Sequence, residues 1–213
     1  MKRTKTRSLA SALLCAALVF VPAARAQDVP PDQLVKSVTL EVVDLIAKDK
    51  EIKAGNRAKL MELIDAKVLP HFNFNAMTAL AMGQSWNKSS PEQKKRMTEE
   101  FRTLLVRTYA SALAAYSEQK FDFRPLRAKP TDTDVTVQVR VLQSGAQPVP
   151  IDYSMEKTGA GWKVYDVMVG GVSLVANYRT EFNNTVRDSG VDGLIKNLAT
   201  KNKSNEGTAL EKK

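Results

Sequence analysis

The chain has 213 residues, 43% of them hydrophobic and 26% charged, a balance that supplies enough apolar side chain for a packed core and argues against wholesale disorder. A single cysteine excludes an internal disulfide, and a single histidine excludes the His- and Cys-rich clusters that hold zinc. The formal net charge is +9, but its distribution along the chain changes what that number means.

Lys2, Arg3, Lys5 and Arg7 precede an apolar run from Leu9 to Val21, followed by Pro22 and the small-residue site Ala24-Arg25-Ala26. Basic, apolar and small-residue segments in that order form a secretory signal peptide. The apolar run is too short to span a bilayer, which takes about 20 residues. Cys15 lies inside the run and leaves with it. The leader holds Lys2, Arg3, Lys5, Arg7 and Arg25 with no acid, so more than half of the net charge is targeting. An exported chain of modest basicity is a poor candidate for nucleic-acid binding. The expected division is a signal peptide over 1–26, one domain over 27–200, and a polar, aperiodic, disordered tail over 201–213.

Residues 32–48 carry Leu34, Val38, Val42, Leu45 and Ile46 at helical spacing. A turn at Ala54-Gly55-Asn56 precedes a second helix with Leu60, Ile64 and Val68 on one stripe, closed by Pro70. A short segment from Phe72 to Met82 ends at Gly83, a natural C-cap. Ser90-Pro91-Glu92-Gln93 is a capping box with proline at the first helical position. It opens a long helix to about Ser117 with Met97, Phe101, Leu104, Leu105, Tyr109, Ala112, Leu113 and Tyr116 on its apolar stripe.

The period then changes to two. Lys120 to Leu126 reads as an edge strand. Val135, Val137, Val139 and Val141 alternate with polar residues, as do Val149, Ile151, Tyr153 and Met155 beyond a turn at Gly145 to Pro148. Trp162 to Val169 is a further strand with apolar residues on both faces. Strict alternation puts Asp166 on one of those faces with Trp162, Val164 and Met168, and Tyr165 on the other with Val167 and Val169. Past Gly170-Gly171 the helical pattern returns with Leu174, Val175, Tyr178, Phe182 and Val186, then Val191, Leu194, Ile195 and Leu198. Helices, an antiparallel meander and helices again predict an α+β fold, a curved antiparallel sheet covered by helices.

Chemistry-bearing patterns are sparse. No nucleophile elbow, P-loop or dinucleotide fingerprint is present, and Gly170-Gly171-Val172-Ser173 matches the elbow only superficially. His71 follows a helix stop and has no second ligand, so neither a metal nor a cofactor is expected. Tyr153, Tyr165 and Asp166 are the one set from which an acid-base site on an apolar substrate could be built, but the strand faces separate them, so no catalytic residue is assigned. The apolar stripes suit a solid core better than a cavity on pattern alone, which leaves a filled-core adaptor open.

The segment Gly161 to Phe182, GWKVYDVMVGGVSLVANYRTEF, closely resembles the signature of the MlaC-type periplasmic phospholipid-binding proteins, the toluene-tolerance auxiliary family. Further matches run in order through Pro70 to Phe74, Gly83 to Trp86, Ser90 to Gln93, Phe101 to Tyr116, Pro150 to Tyr153 and Gly190 to Ile195. The resemblance implies an NTF2-like cone enclosing an apolar pocket. It also implies a monomeric, non-enzymatic periplasmic carrier that moves phospholipid between an outer-membrane lipoprotein-porin complex and an inner-membrane ABC transporter complex. On that reading the lipid meets strand residues Val137, Val139, Ile151, Tyr153, Val167 and Val169, and helix or turn residues Leu104, Leu105, Tyr109, Leu113, Val172, Leu174 and Tyr178, with about half of them in direct contact. Arg179 is expected in a surface ion pair rather than on a phosphate.

Overall fold

The computed structural model of the chain describes residues 29–115, 118–143 and 145–210. The signal peptide with Cys15, Tyr116 and the last three residues lie outside the described residues. Three helices come first: α1 (Pro31–Lys48), a single turn α2 (Lys50–Lys53) and α3 (Arg57–Lys67). Polar side chains start two of them. Asp49 accepts from the N–H groups of Glu51 and Ile52 at 2.9 and 3.1 Å, and Asn56 accepts from that of Lys59 at 3.1 Å. Such caps satisfy amide groups that have no carbonyl partner within the helix.

A 3-10 turn, Leu69–His71, leads to α4 (Phe74–Met82). Asn73 ties this junction to the sheet in three ways. Its side-chain oxygen caps α4 through the N–H of Ala76, its side-chain amide donates to Glu156 at 2.6 Å, and its backbone N–H donates to the Val164 carbonyl at 2.8 Å. Gly83 ends α4 with φ of 56°, as expected for a C-cap glycine. After the short α5 (Gln84–Lys88), the capping box forms in full: Gln93 N–H donates to Ser90 Oγ at 3.1 Å while Ser90 N–H donates to Gln93 Oε1 at 3.0 Å. The long helix α6 is described over Pro91–Ala115.

The sheet is an antiparallel meander of five strands in sequential order: β1 (Lys120–Phe123), β2 (Asp134–Leu142), β3 (Val149–Thr158), β4 (Gly161–Val169) and β5 (Val172–Ser173). In β2 the valines are buried and the residues between them exposed, as alternation requires. In β4 alternation fails. Ser154 pairs with Asp166 and Met155 pairs with Val164, so Tyr165 is an extra, unpaired residue, a β-bulge. The bulge corrects the strand parity. Val164, Val167 and Val169 stand opposite Met155, Tyr153 and Ile151 and share one face, while Asp166 pairs with Ser154 on the other. Tyr165 also belongs to that outer side, where its hydroxyl donates to Asp134 Oδ2 at 2.9 Å.

Gly170 and Gly171 have φ of 60° and 85° and form a two-residue hairpin turn into β5, a strand that the sequence pattern hides. The final helix α7 (Leu174–Leu210) is bent at Gly190, whose φ of 72° and ψ of 178° are not helical. It continues into the stretch that composition marks as a tail. Asn202 there is only 4% exposed, its side-chain amide donating to the Glu100 backbone and side chain at 3.0 and 2.7 Å and its backbone carbonyl accepting from Arg107. Helix α7 therefore runs beyond residue 200.

Candidate functional site

Two very different interiors lie on either side of α6. Toward α4 and α7 the core is solid. Phe101, Tyr178 and Phe182 form a ring cluster with centroids 5.1 to 5.7 Å apart, packed with Met77, Met82, Met97, Leu194 and Ile195. Toward α1, α3 and the sheet the side chains stop short of one another and leave a cavity of about 380 Å³. That size falls within the range of small-molecule binding sites.

Each wall of the cavity is a stripe set by secondary-structure period. Helix α1 contributes Leu34, Val38 and Val42 at the i, i+4 and i+8 positions of one face, with Val35 beside them. Helix α6 contributes Leu105, Tyr109 and Leu113. The sheet contributes Ile151, Tyr153 and Met155 from β3, and Val164, Val167 and Val169 from β4, which the bulge has brought to the same side. Phe72 and Phe74 come from the junction that Asn73 pins to Val164.

Polar groups on this wall are few: Thr39, His71, Tyr109 and Tyr153, with no carboxylate. His71 is half-buried, beside Lys163, whose ammonium donates to the Pro70 carbonyl at 2.6 Å. Burial first, and the Lys163 charge second, hold the imidazole below its ordinary pKa, with Glu41 pulling the other way. Burial pushes the Tyr153 phenol up to about 12, so it stays a neutral donor at any physiological pH.

The cavity gathers Leu105, Tyr109, Leu113, Ile151, Tyr153, Val167, Val169 and Leu174 from the residues singled out in the sequence. The others lie elsewhere. Leu104 is turned about 100° from Leu105 around α6 and is locked in the solid core, where Tyr178 completes the ring cluster. Val137 and Val139 share the inner face of the sheet but are closed over in a cluster with Val35, 2% and 1% exposed. Val172 lies past the glycine turn and is 57% exposed. What the sequence did not assign to the cavity is the contribution of α1 and of the Phe72–Phe74 junction; the amphipathic stripe of α1 was visible, but not what it covers.

The residues considered for acid-base chemistry do not converge on the cavity. Asp166 accepts from Ser173 Oγ at 2.5 Å and from the N–H groups of Val167 and Val175 at 2.8 and 3.2 Å, so its carboxylate organises the start of α7. Ser173 itself caps that helix through the Ala176 N–H at 2.9 Å. Arg179, expected in an ion pair, instead donates to the Leu80 carbonyl at 3.1 Å near the end of α4. Among the described residues no three His, Cys, Asp or Glu side chains come together as a metal site, and no helix is long and apolar enough to cross a membrane.

An open, curved antiparallel sheet roofed by helices over an apolar chamber defines the class, an α+β fold of the kind seen in a phospholipid-binding protein. The family profile described as MlaC protein matches residues 36–200, and the chain belongs to that family. It is 24% identical over 163 residues to the toluene tolerance protein ttg2D of Pseudomonas putida, covering 76% of this chain and 75% of that protein. It is 25% identical over 155 residues to the intermembrane phospholipid transport system binding protein MlaC of Haemophilus influenzae, covering 71% and 72%. Its structure is similar to that of the phospholipid-binding protein from Ralstonia solanacearum in complex with a phospholipid, with a TM-score of 0.78 and 36% identity over 84% of this chain and 99% of the other.

Proposed function

We propose that this protein is a periplasmic phospholipid carrier that holds acyl chains in the chamber between α1, α6 and the sheet. The observation that carries the reading is the chamber's wall, apolar apart from four uncharged or weakly basic groups and free of carboxylates. The similarity to a Ralstonia protein solved with a phospholipid supports it. Filled-core and enzymatic readings fare worse: the first has no use for a cavity of this size, and the second finds a single imidazole, His71, on the wall with no carboxylate there to work with it.

The energetics suit a shuttle. Each methylene moved from water into an apolar chamber is worth about 0.8 kcal/mol, so a loaded lipid does not escape into water. Exchange with a bilayer is different, because hydrocarbon meets hydrocarbon on both sides and the apolar term nearly cancels. Such a carrier loads and unloads with little bias of its own, and its partners set the direction. The leader over residues 1–26 supports export to the periplasm, the aqueous gap where this task arises. We place the protein, acting as a monomer, between an outer-membrane lipoprotein-porin complex and an inner-membrane ABC transporter, maintaining the lipid asymmetry of the outer membrane.

The test is to purify the protein from the periplasm, extract it with organic solvent and identify bound lipid by mass spectrometry. Phospholipid near one molecule per chain is expected. A folded protein that carries none, and takes up none from liposomes, would rule the carrier reading out.

A further inference from the structure

Tyr153 is partly buried at the centre of β3, between Val137 of β2 and Val167 of β4. Its hydroxyl makes no hydrogen bond to any described residue. It is also not sealed by packing, since the Asn202 side-chain oxygen is the one such atom among the described residues. The open space that the phenol meets is therefore the cavity it lines. The other tyrosine on the wall is differently placed, because the Tyr109 hydroxyl lies beside that of Tyr178. A hydroxyl that faces an apolar chamber and has no protein partner is open to an acceptor on the chamber's occupant.

Resting on the carrier reading, we propose that Tyr153 is a hydrogen-bond donor to an ester carbonyl of the bound glycerolipid, and so distinguishes ester-linked from ether-linked chains. The acceptor follows from the chemistry of the site. A phosphate would leave its hydration behind to enter this wall, at high cost, and the phenol offers it no positive charge. An ester carbonyl is uncharged, attached directly to the chain that occupies the chamber, and a good acceptor. An ether oxygen is a poor one. The hydroxyl sets the depth to which a chain enters while the apolar wall supplies the affinity, a division common in sites where a few polar groups fix orientation.

The experiment offers the wild-type protein, stripped of lipid, vesicles of equal parts diester and diether phosphatidylethanolamine with the same chain lengths. The reisolated protein is extracted and the ratio of the two lipids measured. Both come from the same bilayer, so the apolar contribution cancels. The expected result is an enrichment of the diester lipid by about fivefold, the worth of one neutral hydrogen bond. Tyr153→Phe, which keeps the ring, should load both lipids at the vesicle ratio. Equal loading of the two lipids by the wild type would overturn the proposal, whether or not the variant folds, and leave the carrier reading standing. Enrichment that persists in Tyr153→Phe would move the donor elsewhere and overturn it too. Loading of neither lipid would overturn the carrier reading and this proposal together.

Discussion

The two interiors beside α6 are built from the same class of residue and differ in what those residues can reach. In the solid core the facing positions hold long or aromatic side chains, Phe101, Phe182, Met82 and Met97, each of them no more than 1% exposed. Between α1 and the sheet the facing positions are β-branched, Val35, Val38 and Val42 against Ile151, Val167 and Val169, while Phe72, Phe74, Met77 and Met155 close other parts of the same wall. Valine and isoleucine are stiff at χ1 and cannot swing into a gap as methionine does. Hydrophobicity thus selects the inside, and where β-branched side chains face one another the inside stays hollow.

Paired substitutions at two valines give the sharpest break in this comparison. Val139→Asp places a carboxylate in closed packing and should cost more than about 4 kcal/mol, enough to lose the folded protein in urea titration. Val169→Asp meets the chamber instead, and should leave a folded protein that acquires no phospholipid from vesicles. Equal loss of stability in both would erase the distinction between packed and hollow. A milder change fills the hollow side: Val167→Phe should lower bound lipid severalfold while shifting stability by no more than about 1.5 kcal/mol. If Val167→Phe loads like the wild type, the chains lie elsewhere.

The smallest expected effect concerns His71. Its folded-state pKa is depressed from the ordinary 6.5, so the unfolded chain takes up the proton more readily. Stability is complete above that value and declines as the pH falls through it. His71→Gln should remove this part of the acid dependence, seen as a melting temperature less sensitive to acidification through the ordinary histidine range. An unchanged pH dependence would mean that the imidazole protonates as freely in the folded state as in the unfolded one.

Where one physical cause fixes a residue pattern, the sequence is a good guide. One-sided burial imposes alternation on Val135 to Val141, and the first turn of α6 demands acceptors that Ser90 and Gln93 supply. The bulge is different, because β4 is apolar on both faces and one inserted residue leaves no break in its pattern. Strand β5 has two residues, too few for any period. Asn202 docks through polar bonds to Glu100 and Arg107, which a search for apolar periodicity passes over. The candidate site was half legible for a related reason. A valine in a wall and a valine in a packed layer look alike in the chain, and what separates Val169 from Val139 is whether neighbouring side chains close over it.

The extra residue at Tyr165 makes the chamber a matter of counting. A strand assigns its residues to faces by odd and even number, and one odd insertion resets the count for all that follows. Were Tyr165 to take the place opposite Ser154, every later residue of the strand would move one position along β3, exchanging the sides of Val167 and Val169 with those of Asp166 and Met168. The carboxylate that now starts α7 would be turned into the hollow, and the final helix would lose its anchor by the same stroke. Storage space and the docking of α7 are thus indexed by the one residue that stands outside the pairing.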